Sequence, residues 1–247
     1  MPPILELKNL TKRFGRLEAV SELNLTLEPS EIFGFLGPNG AGKTTTIKMI
    51  AGLIRPTKGW IRINGYDVNQ DHILALQAVG LMIEAPAFYD YLSARKNLEL
   101  LSCLHGGIEN KRIDYLLELM ELTPRAQDKT AHYSTGMRQR LGIAAALRHQ
   151  PKLIILDEPT SGLDPGGRRE IRNLLPRLAS EEGVTVFLSS HILHEVEQVC
   201  QQVGIINQGK LVAAGKVKEL IGEKAKGPGD LEDLFFQLTE DKAPYQE

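Results

Sequence analysis

The chain has 247 residues and carries 29 Lys and Arg against 31 Asp and Glu. This length accommodates one sizeable α/β domain with a small insertion, and the balanced charge provides no overall field that would attract nucleic acid or anionic lipid. Cys103 and Cys200 lack metal-ligand spacing and indicate free thiols in the cytosol. The sequence shows neither a signal-peptide pattern nor an apolar run of roughly 20 residues, so we expect any membrane role to be peripheral.

The first third of the chain predicts strands on either side of a glycine-rich loop. Apolar and charged residues alternate at positions 4–7 and 19–27, which predicts half-buried strands of an antiparallel sheet. An apolar run at 32–36 precedes the loop, and a helix is expected from about residue 43 to 51. Alternation between glycines at 59–65 predicts another strand with a turn.

Helices and a parallel sheet are predicted for the rest of the chain. Apolar residues spaced three or four apart between about 93 and 132 predict the helices of an insertion, which we place at about 85–150. Beyond it, strands and helices alternate in the pattern of a parallel sheet, followed by two short strands around the turn 207–209. We expect one domain at 1–222 and a short C-terminal tail with a helix at 223–247.

The glycine-rich loop fits the phosphate-binding pattern G-x-x-x-x-G-K-[ST] at all eight positions. Its glycines allow turns that bring successive N–H groups onto one anion, and the following helix adds its positive dipole end. Lys43 would reach the outer phosphates, and Thr44 would ligate Mg²⁺. The alternative is a glycine-rich turn between strand and helix. The residues predicted to bind the nucleotide are Gly37, Pro38, Asn39, Gly40, Ala41, Gly42, Lys43, Thr44 and Thr45.

Two acids follow the apolar run at 153–156. Asp157 and Glu158 would lie at the carboxyl end of a sheet strand, where open α/β sheets bind ligands. Asp157 is predicted to hold Mg²⁺, directly or through water, and Glu158 to orient and deprotonate the water that attacks the γ-phosphate. The alternative, a strand that ends in solvated acids, is common for an isolated pair but less so downstream of a phosphate loop.

A third pattern precedes the helix expected at 141–147. It reads Tyr133-Ser134-Thr135-Gly136-Met137-Arg138-Gln139-Arg140. A serine and a glycine at a helix start can also be ordinary capping. With the later Ser-Gly-Leu-Asp at 161–164 and His191, however, the ordered motifs resemble the ATP-binding subunit of an ATP-binding cassette (ABC) transporter over nearly the whole chain. That resemblance implies an α/β fold of the P-loop NTPase (RecA-like) type, with a parallel sheet core, an N-terminal antiparallel β subdomain and an inserted α-helical subdomain.

The resemblance assigns roles to the third pattern and to two later residues. The signature residues, which contact the γ-phosphate held by the opposite subunit, would be Ser134, Thr135, Gly136 and Met137. Ser134 and Gly136 match the commonest form of this motif, whereas the other two depart from it. Asp164 would make contacts across the dimer, and His191 would be the catalytic switch histidine at the γ-phosphate, although a lone histidine at a strand end is usually only a satisfied polar residue.

Two further positions follow from the same resemblance. Phe14 aligns with the aromatic residue that stacks on adenine, and its alternative is ordinary packing. Glu84 stands where most members carry a glutamine, and a carboxylate can ligate Mg²⁺ or its water with a full negative charge. Residues 83–89 and the signature together resemble a subgroup of ABC exporters linked to bacitracin, lantibiotic and other antibiotic resistance.

ATP and Mg²⁺ are therefore the expected ligands. The resemblance implies that two subunits, identical or different, close head to tail around two ATP and power a separate transmembrane permease at the cytoplasmic face of the membrane. Phe88, Tyr89 and Tyr91 are candidates for the surface that docks on this permease. Their alternative is to pack the core of the insertion.

Three other functions compete with this interpretation. A soluble ABC ATPase acting on nucleic acid or ribosomes would generally carry paired cassettes, a long coiled coil, zinc modules or basic patches, and the sequence shows none of these, so no nucleic acid is expected. A regulatory module without turnover is disfavoured by the intact set of Lys43, Asp157, Glu158 and His191. A small-molecule kinase would explain the phosphate loop but not the later motifs.

Overall fold

The computed structural model describes residues 2–103, 107, 109–224 and 231–239, with backbone only at 223 and 224. The strands are β1 (Leu5–Phe14), β2 (Leu17–Leu27), β3 (Ile32–Leu36), β4 (Lys58–Ile63), β5 (Tyr66–Asp67), β6 (Val79–Met82), β7 (Leu153–Asp157), β8 (Thr185–Ser190), β9 (Gln202–Asn207) and β10 (Lys210–Lys216). The helices are α1 (Lys43–Ile50), α2 (His72–Leu76), α3 (Ala94–Cys103), α4 (Asn110–Leu119), α5 (Thr135–Leu147), α6 (Pro165–Glu181), α7 (Leu193–Val199), α8 (Val217–Lys224) and α9 (Leu231–Thr239).

Two sheets form the body of the molecule. The smaller sheet is antiparallel and has the order β2-β1-β4-β5, while the larger has the order β10-β9-β3-β8-β7-β6. Within the larger sheet the pairs from β9 to β6 are all parallel, and β10 joins its edge antiparallel to β9. The predicted combination of a parallel core and an N-terminal antiparallel sheet is therefore confirmed.

The larger sheet is covered on both faces, which explains its continuous apolar strands. Every residue of β3, β7 and β8 is buried, as is typical of parallel strands packed between two layers. One face, with Phe33, Phe35 and Phe187, packs against the antiparallel sheet and α1. The other face packs against α5, α6 and α7, whose apolar residues continue into the insertion.

Helices α3 to α5 form the predicted helical insertion, and its contacts with the body are polar as well as apolar. Arg112 on α4 donates to Glu182, just after α6, at 3.1 Å and to the carbonyl of Leu147 at 3.0 Å. Both Arg112 and Glu182 are mostly buried, so this ion pair is better shielded from solvent than a surface pair. It fastens the insertion to the end of α6.

Only part of the predicted tail at 223–247 falls within the described residues. There, α9 packs Leu231 and Leu234 into the same core as the larger sheet. The predicted strands around the turn 207–209 are present as β9 and β10, and the expected helix at the chain end is present as α9. The boundary that we place at residue 222 remains a proposal.

Two further expectations concern free thiols and the absence of a membrane-spanning segment. Cys103 is exposed and Cys200 is buried, and both are free thiols as predicted. Burial raises the pKa of the Cys200 thiol far above its usual range. Within the described ranges, none of the helices combines the length and apolar character needed to cross a membrane.

A pair of glycine substitutions tests the packing of β6 against α5. A Cβ atom at Gly80 would collide with the carbonyl oxygen of Ala146, whereas a Cβ at Gly222, on the exposed side of α8, would meet nothing within 4 Å. We expect Gly80→Ala to lower the free energy of unfolding by about 1–3 kcal/mol through overpacking. Gly222→Ala should leave it unchanged or raise it by about 0.5–1 kcal/mol through helix propensity. Urea unfolding measures both, and equal stabilities of the two variants would contradict the described packing.

Candidate functional site

The register of the parallel strands brings the predicted site residues to one edge of the larger sheet. Asp157, the last residue of β7, lies opposite Ser189 of β8, and Ser190 lies opposite Leu36, the last residue of β3. The phosphate loop leaves β3 directly beyond Leu36. Because the carboxyl ends of parallel strands share an edge, loop and acids become neighbours although more than a hundred residues separate them.

Two of the three glycines of the phosphate loop have the backbone conformation predicted for them. Gly40 and Gly42 have φ values of 79° and 108°, which side-chain-bearing residues rarely adopt. Gly42 is the N-cap of α1 and no side chain caps that helix, so its first N–H groups are available to an anion. Inside the loop, Ala41 N donates to Pro38 O at 3.1 Å.

Lys43 is the buried cation of the site. Its side chain folds back onto the loop, where Nζ donates to Gly37 O at 2.7 Å and to Pro38 O at 3.3 Å. Nζ also lies 4.0 Å from Glu158 Oε1. Burial lowers the pKa of Lys43, while the neighbouring charges of Glu158 and Asp157 act in the opposite direction. The ammonium group is thus held inside the loop by carbonyls that an anion could replace.

Oxygen atoms suited to Mg²⁺ lie beside the loop. Thr44 Oγ1 donates to Asp157 Oδ2 at 3.4 Å, and Ser189 Oγ donates to Asp157 Oδ1 at 2.5 Å. A hydroxyl next to a carboxylate is the kind of donor set that Mg²⁺ uses together with the oxygens of a bound phosphate. In the part of the chain that the structure describes, there is no group of three or more His, Cys, Asp or Glu that could hold a metal ion. These residues therefore fit a metal that arrives with a nucleotide.

Glu158 and His191 form a direct pair. His191 Nδ1 lies 2.7 Å from Glu158 Oε2, and Ser189 Oγ accepts the backbone N–H of Glu158 at 3.0 Å. Glu158 has φ 51°, a left-handed conformation that is uncommon for a residue with a side chain. Such backbone strain is characteristic of functional sites. The conformation aims the carboxylate away from the strand and toward both His191 and Lys43.

Glu84 takes a different partner from the one predicted for it. Its Oε1 accepts from Lys48 Nζ of α1 at 2.9 Å, in a pair that is largely exposed. Glu84 nevertheless lines a cavity of about 360 Å³ together with Asp157 and Glu158. Its φ is 63°, so the loop after β6 is also in the left-handed region. The side chain thus lines the cavity beside Asp157 while it is bound to a lysine.

Of the signature residues, Ser134 serves as a helix cap in this structure, and so does Asp164. Ser134 is the N-cap of α5 and its Oγ accepts from Met137 N at 3.2 Å, while Asp164 is the N-cap of α6 and accepts from Gly167 N at 3.3 Å. Among the described residues, no hydrogen bond or ion pair joins positions 134–137 to the phosphate loop. The phosphate loop and the signature residues therefore do not form one hydrogen-bonded site within a single chain.

Phe14 presents a free ring face at the end of β1. The side chain is half exposed, and Lys12 Nζ lies 5.0 Å from the ring centroid. The ring is therefore not part of the buried core. A cation beside an exposed ring is compatible with stacking on a base.

Two contacts of the site were not predicted from the sequence. Ser189 bonds both Asp157 and the backbone of Glu158, and Lys48 pairs with Glu84. Ser189 could have been found from the polar residues that end the apolar run of β8, once β7 and β8 were taken as neighbours. Lys48 carries no such signal, because its partner is set by a loop with an unusual backbone.

Comparisons with known proteins agree on one family. The sequence pattern of the ABC transporter family matches residues 20–161. The bacitracin transport ATP-binding protein BcrA of Bacillus licheniformis is 46% identical over 212 residues, which is 86% of this chain and 69% of that protein.

Solved structures show the same fold. An ATP-binding subunit of an ABC transporter superposes with a TM-score of 0.86 and is 30% identical, over 96% of this chain and 100% of that one. A dimeric ATP-binding cassette in a post-hydrolysis state with ADP and Pi gives a TM-score of 0.76 and 28% identity, over 86% and 98% of the two chains. The chain therefore belongs to the ABC transporter family as an ATP-binding subunit with the fold of its ATPase cassettes.

Proposed function

We propose that this chain hydrolyses ATP at residues 37–45 and uses the energy to drive export through a separate membrane permease. The observation that carries the proposal is the 2.7 Å pair of Glu158 and His191 beside the buried Lys43. Glu158 as the base, His191 as the switch histidine and Lys43 as the cation would then surround the position of a terminal phosphate. Membership of the ABC ATPase family implies the hydrolysis itself.

The three groups divide the chemistry of hydrolysis. Lys43 exchanges its loop carbonyls for the outer phosphates and stabilises their charge. Glu158 accepts the proton of the attacking water and holds that water in line. His191 fixes the orientation of the Glu158 carboxylate through their hydrogen bond and contacts the γ-phosphate. The distances of His191 and Lys43 from Glu158, 2.7 Å and 4.0 Å, support this division of roles.

Mg²⁺ is the cofactor that the oxygen atoms near Thr44 and Asp157 favour. When bound, Mg²⁺ would neutralise charge on the transferred phosphoryl group. Thr44 Oγ1 and the Asp157 carboxylate would hold it, with Ser189 keeping the carboxylate oriented. Glu84 lines the same cavity and would contribute after it leaves Lys48.

A second subunit completes the site. Ser134, Thr135, Gly136 and Met137 begin α5 and make no polar contact with the phosphate loop of their own chain. The exposed N-terminal end of α5 is suited to contact a phosphate, because its dipole is positive. The dimeric relative with ADP and Pi supports a dimer of two such chains. A head-to-tail dimer would place the signature of each chain at the phosphate loop of the other, around two nucleotides. Asp164, at the start of α6, would lie at that interface.

The permease would dock on the loop that leads into the insertion, at the cytoplasmic face of the membrane. Tyr89 and Tyr91 are exposed by 52% and 68%, and their rings meet edge to face at 5.9 Å. Phe88, by contrast, packs partly buried against the main core. The three aromatic residues thus divide between the two alternatives, and the tyrosine pair is the better candidate for contact with a partner.

The proposed cargo class rests on the relatives. BcrA, to which this chain is 46% identical, is named for bacitracin transport. This likeness supports export of a drug, antibiotic or peptide rather than uptake of a nutrient. Substrate selection would reside mostly in the permease.

The first test of this proposal removes the base. Glu158→Gln keeps the size of the side chain but cannot accept the proton, so we expect hydrolysis to fall about 10²–10⁴-fold. ATP binding and the ATP-driven dimer, measured by size-exclusion chromatography, should be retained. Glu118→Gln, at an exposed position of α4, is the matched control and should hydrolyse ATP normally. Near-normal turnover by Glu158→Gln would exclude Glu158 as the base.

A second test concerns the metal. Glu84→Ala removes a carboxylate from the cavity and should raise the Mg²⁺ concentration for half-maximal hydrolysis by about tenfold. Glu84→Gln retains an oxygen donor and should stay close to the unaltered protein. A titration of ATPase rate against free Mg²⁺ distinguishes them. Identical Mg²⁺ curves for all three proteins would show that Glu84 has no part in metal binding.

A third test concerns docking. Tyr91→Ala removes an exposed ring without touching the site, so ATP hydrolysis by the isolated subunit should be unchanged. The fraction of the chain bound to membranes that contain its permease should fall, with about tenfold weaker binding if the ring is a central contact. Tyr66→Ala, at another exposed ring, is the control. Equal membrane binding by the two variants would place the docking surface elsewhere.

A further inference from the structure

The turn between β9 and β10 supports the phosphate loop from behind. Gly209 N donates to Ala41 O at 2.9 Å, and Ser21 N donates to Gly209 O at 2.8 Å. The turn is therefore bonded on one side to the loop and on the other to β2. Because Ala41 O accepts this bond, the middle of the phosphate loop is fixed to a segment far away in sequence.

Steric contacts reinforce these hydrogen bonds. A Cβ atom at Gly37 would collide with the carbonyl oxygen of Ile206, and one at Gly42 would lie 3.3 Å from Ile206 Cδ1. At Gly209, which has φ 78°, a Cβ would lie 2.9 Å from Ala19 O. The phosphate loop thus packs closely against the end of β9, and the turn that follows packs against β2. A displacement of the turn would therefore also displace the loop.

The C-terminal helix holds this turn in place. Asn207 Nδ2 donates to the carbonyls of Leu238 and Thr239, at 3.4 Å and 3.3 Å. These carbonyls end α9, where a helix leaves its last acceptors without internal partners. Helix α9 is itself anchored, because Leu231 and Leu234 are fully buried. A continuous chain of contacts therefore runs from α9 through Asn207 and Gly209 to Ala41.

We propose that Asn207 is a positioning residue through which the C-terminal helix sets the shape of the phosphate loop and hence the affinity for ATP. The inference rests on the proposed assignment of residues 37–45 as the ATP site. Among the described residues, no hydrogen bond joins Asn207 to residues 37–45, so it would act through the turn. Displacement of α9 would loosen the turn, and the loop would then have to be ordered by the nucleotide itself.

The test measures ATP affinity separately from catalysis. Asn207→Asp replaces the amide donor by an oxygen that faces two carbonyls, so it should detach α9 from the turn. We expect the dissociation constant for ATP, measured calorimetrically in EDTA to prevent hydrolysis, to rise about three- to tenfold. Turnover at saturating Mg·ATP should stay within about twofold, and amide exchange at residues 39–42 should become faster. Asn207→Ala, which only removes the donor, should show the same changes to a smaller degree.

Asn173→Asp, the same substitution at an exposed position of α6, is the matched control and should leave all three quantities unchanged. Unaltered ATP affinity in both Asn207 variants would overturn the inference, even if their melting temperatures fell, because only a general structural role would remain. The proposed hydrolysis fails separately: a chain that binds ATP with this dependence on Asn207 but does not turn it over would leave the inference intact.

Discussion

The site depends on the parallel pairing of β3, β8 and β7. This pairing sets Leu36, Ser189 and Asp157 at one edge of the sheet, so the loop that follows Leu36 meets the acids that end β7. A one-residue slip of β7 would turn Asp157 to the other face and leave Thr44 without its carboxylate. Pairing with β6 on one edge and β8 on the other holds β7 in this register. The strand pairing that builds the core therefore also positions the residues of the site.

The buried ammonium group of Lys43 gives this site a positive charge that an anion would balance. Lys43 is almost fully buried, and the carbonyls that it now contacts belong to the loop that is shaped for phosphate. A buried ammonium group with carbonyl partners is tolerated, but phosphate oxygens would satisfy it better because they carry charge. Glu84, Asp157 and Glu158 line one cavity, in which Glu84 is paired with Lys48 and Asp157 is bonded to Thr44 and Ser189. A bound nucleotide would bring the phosphate oxygens that satisfy Lys43.

Much of the fold and of the site could be predicted from the sequence because the relevant signals are local. The phosphate loop is specified by glycines that need φ above zero, and the acid pair by its position after an apolar run. Ser189 and Asn207 were missed because their partners lie across strand pairings or in a distant helix. The pairing of Glu84 with Lys48 was missed because a loop conformation decides it. Phe88 and Tyr91 are both aromatic, yet Phe88 is partly buried and Tyr91 is exposed. The local sequence does not predict this difference, because it depends on packing against distant parts of the chain.

The unequal burial of the two cysteines makes the unaltered chain suitable for spectroscopy. Cys200 resists thiol reagents because it is buried and because its raised pKa suppresses the thiolate. Cys103 is exposed at the end of α3, so a maleimide dye or spin label would attach there alone. Each subunit then carries one probe on its helical insertion. Distances between two such probes would follow opening and closure of an assembled pair through each catalytic cycle, without any engineered cysteine.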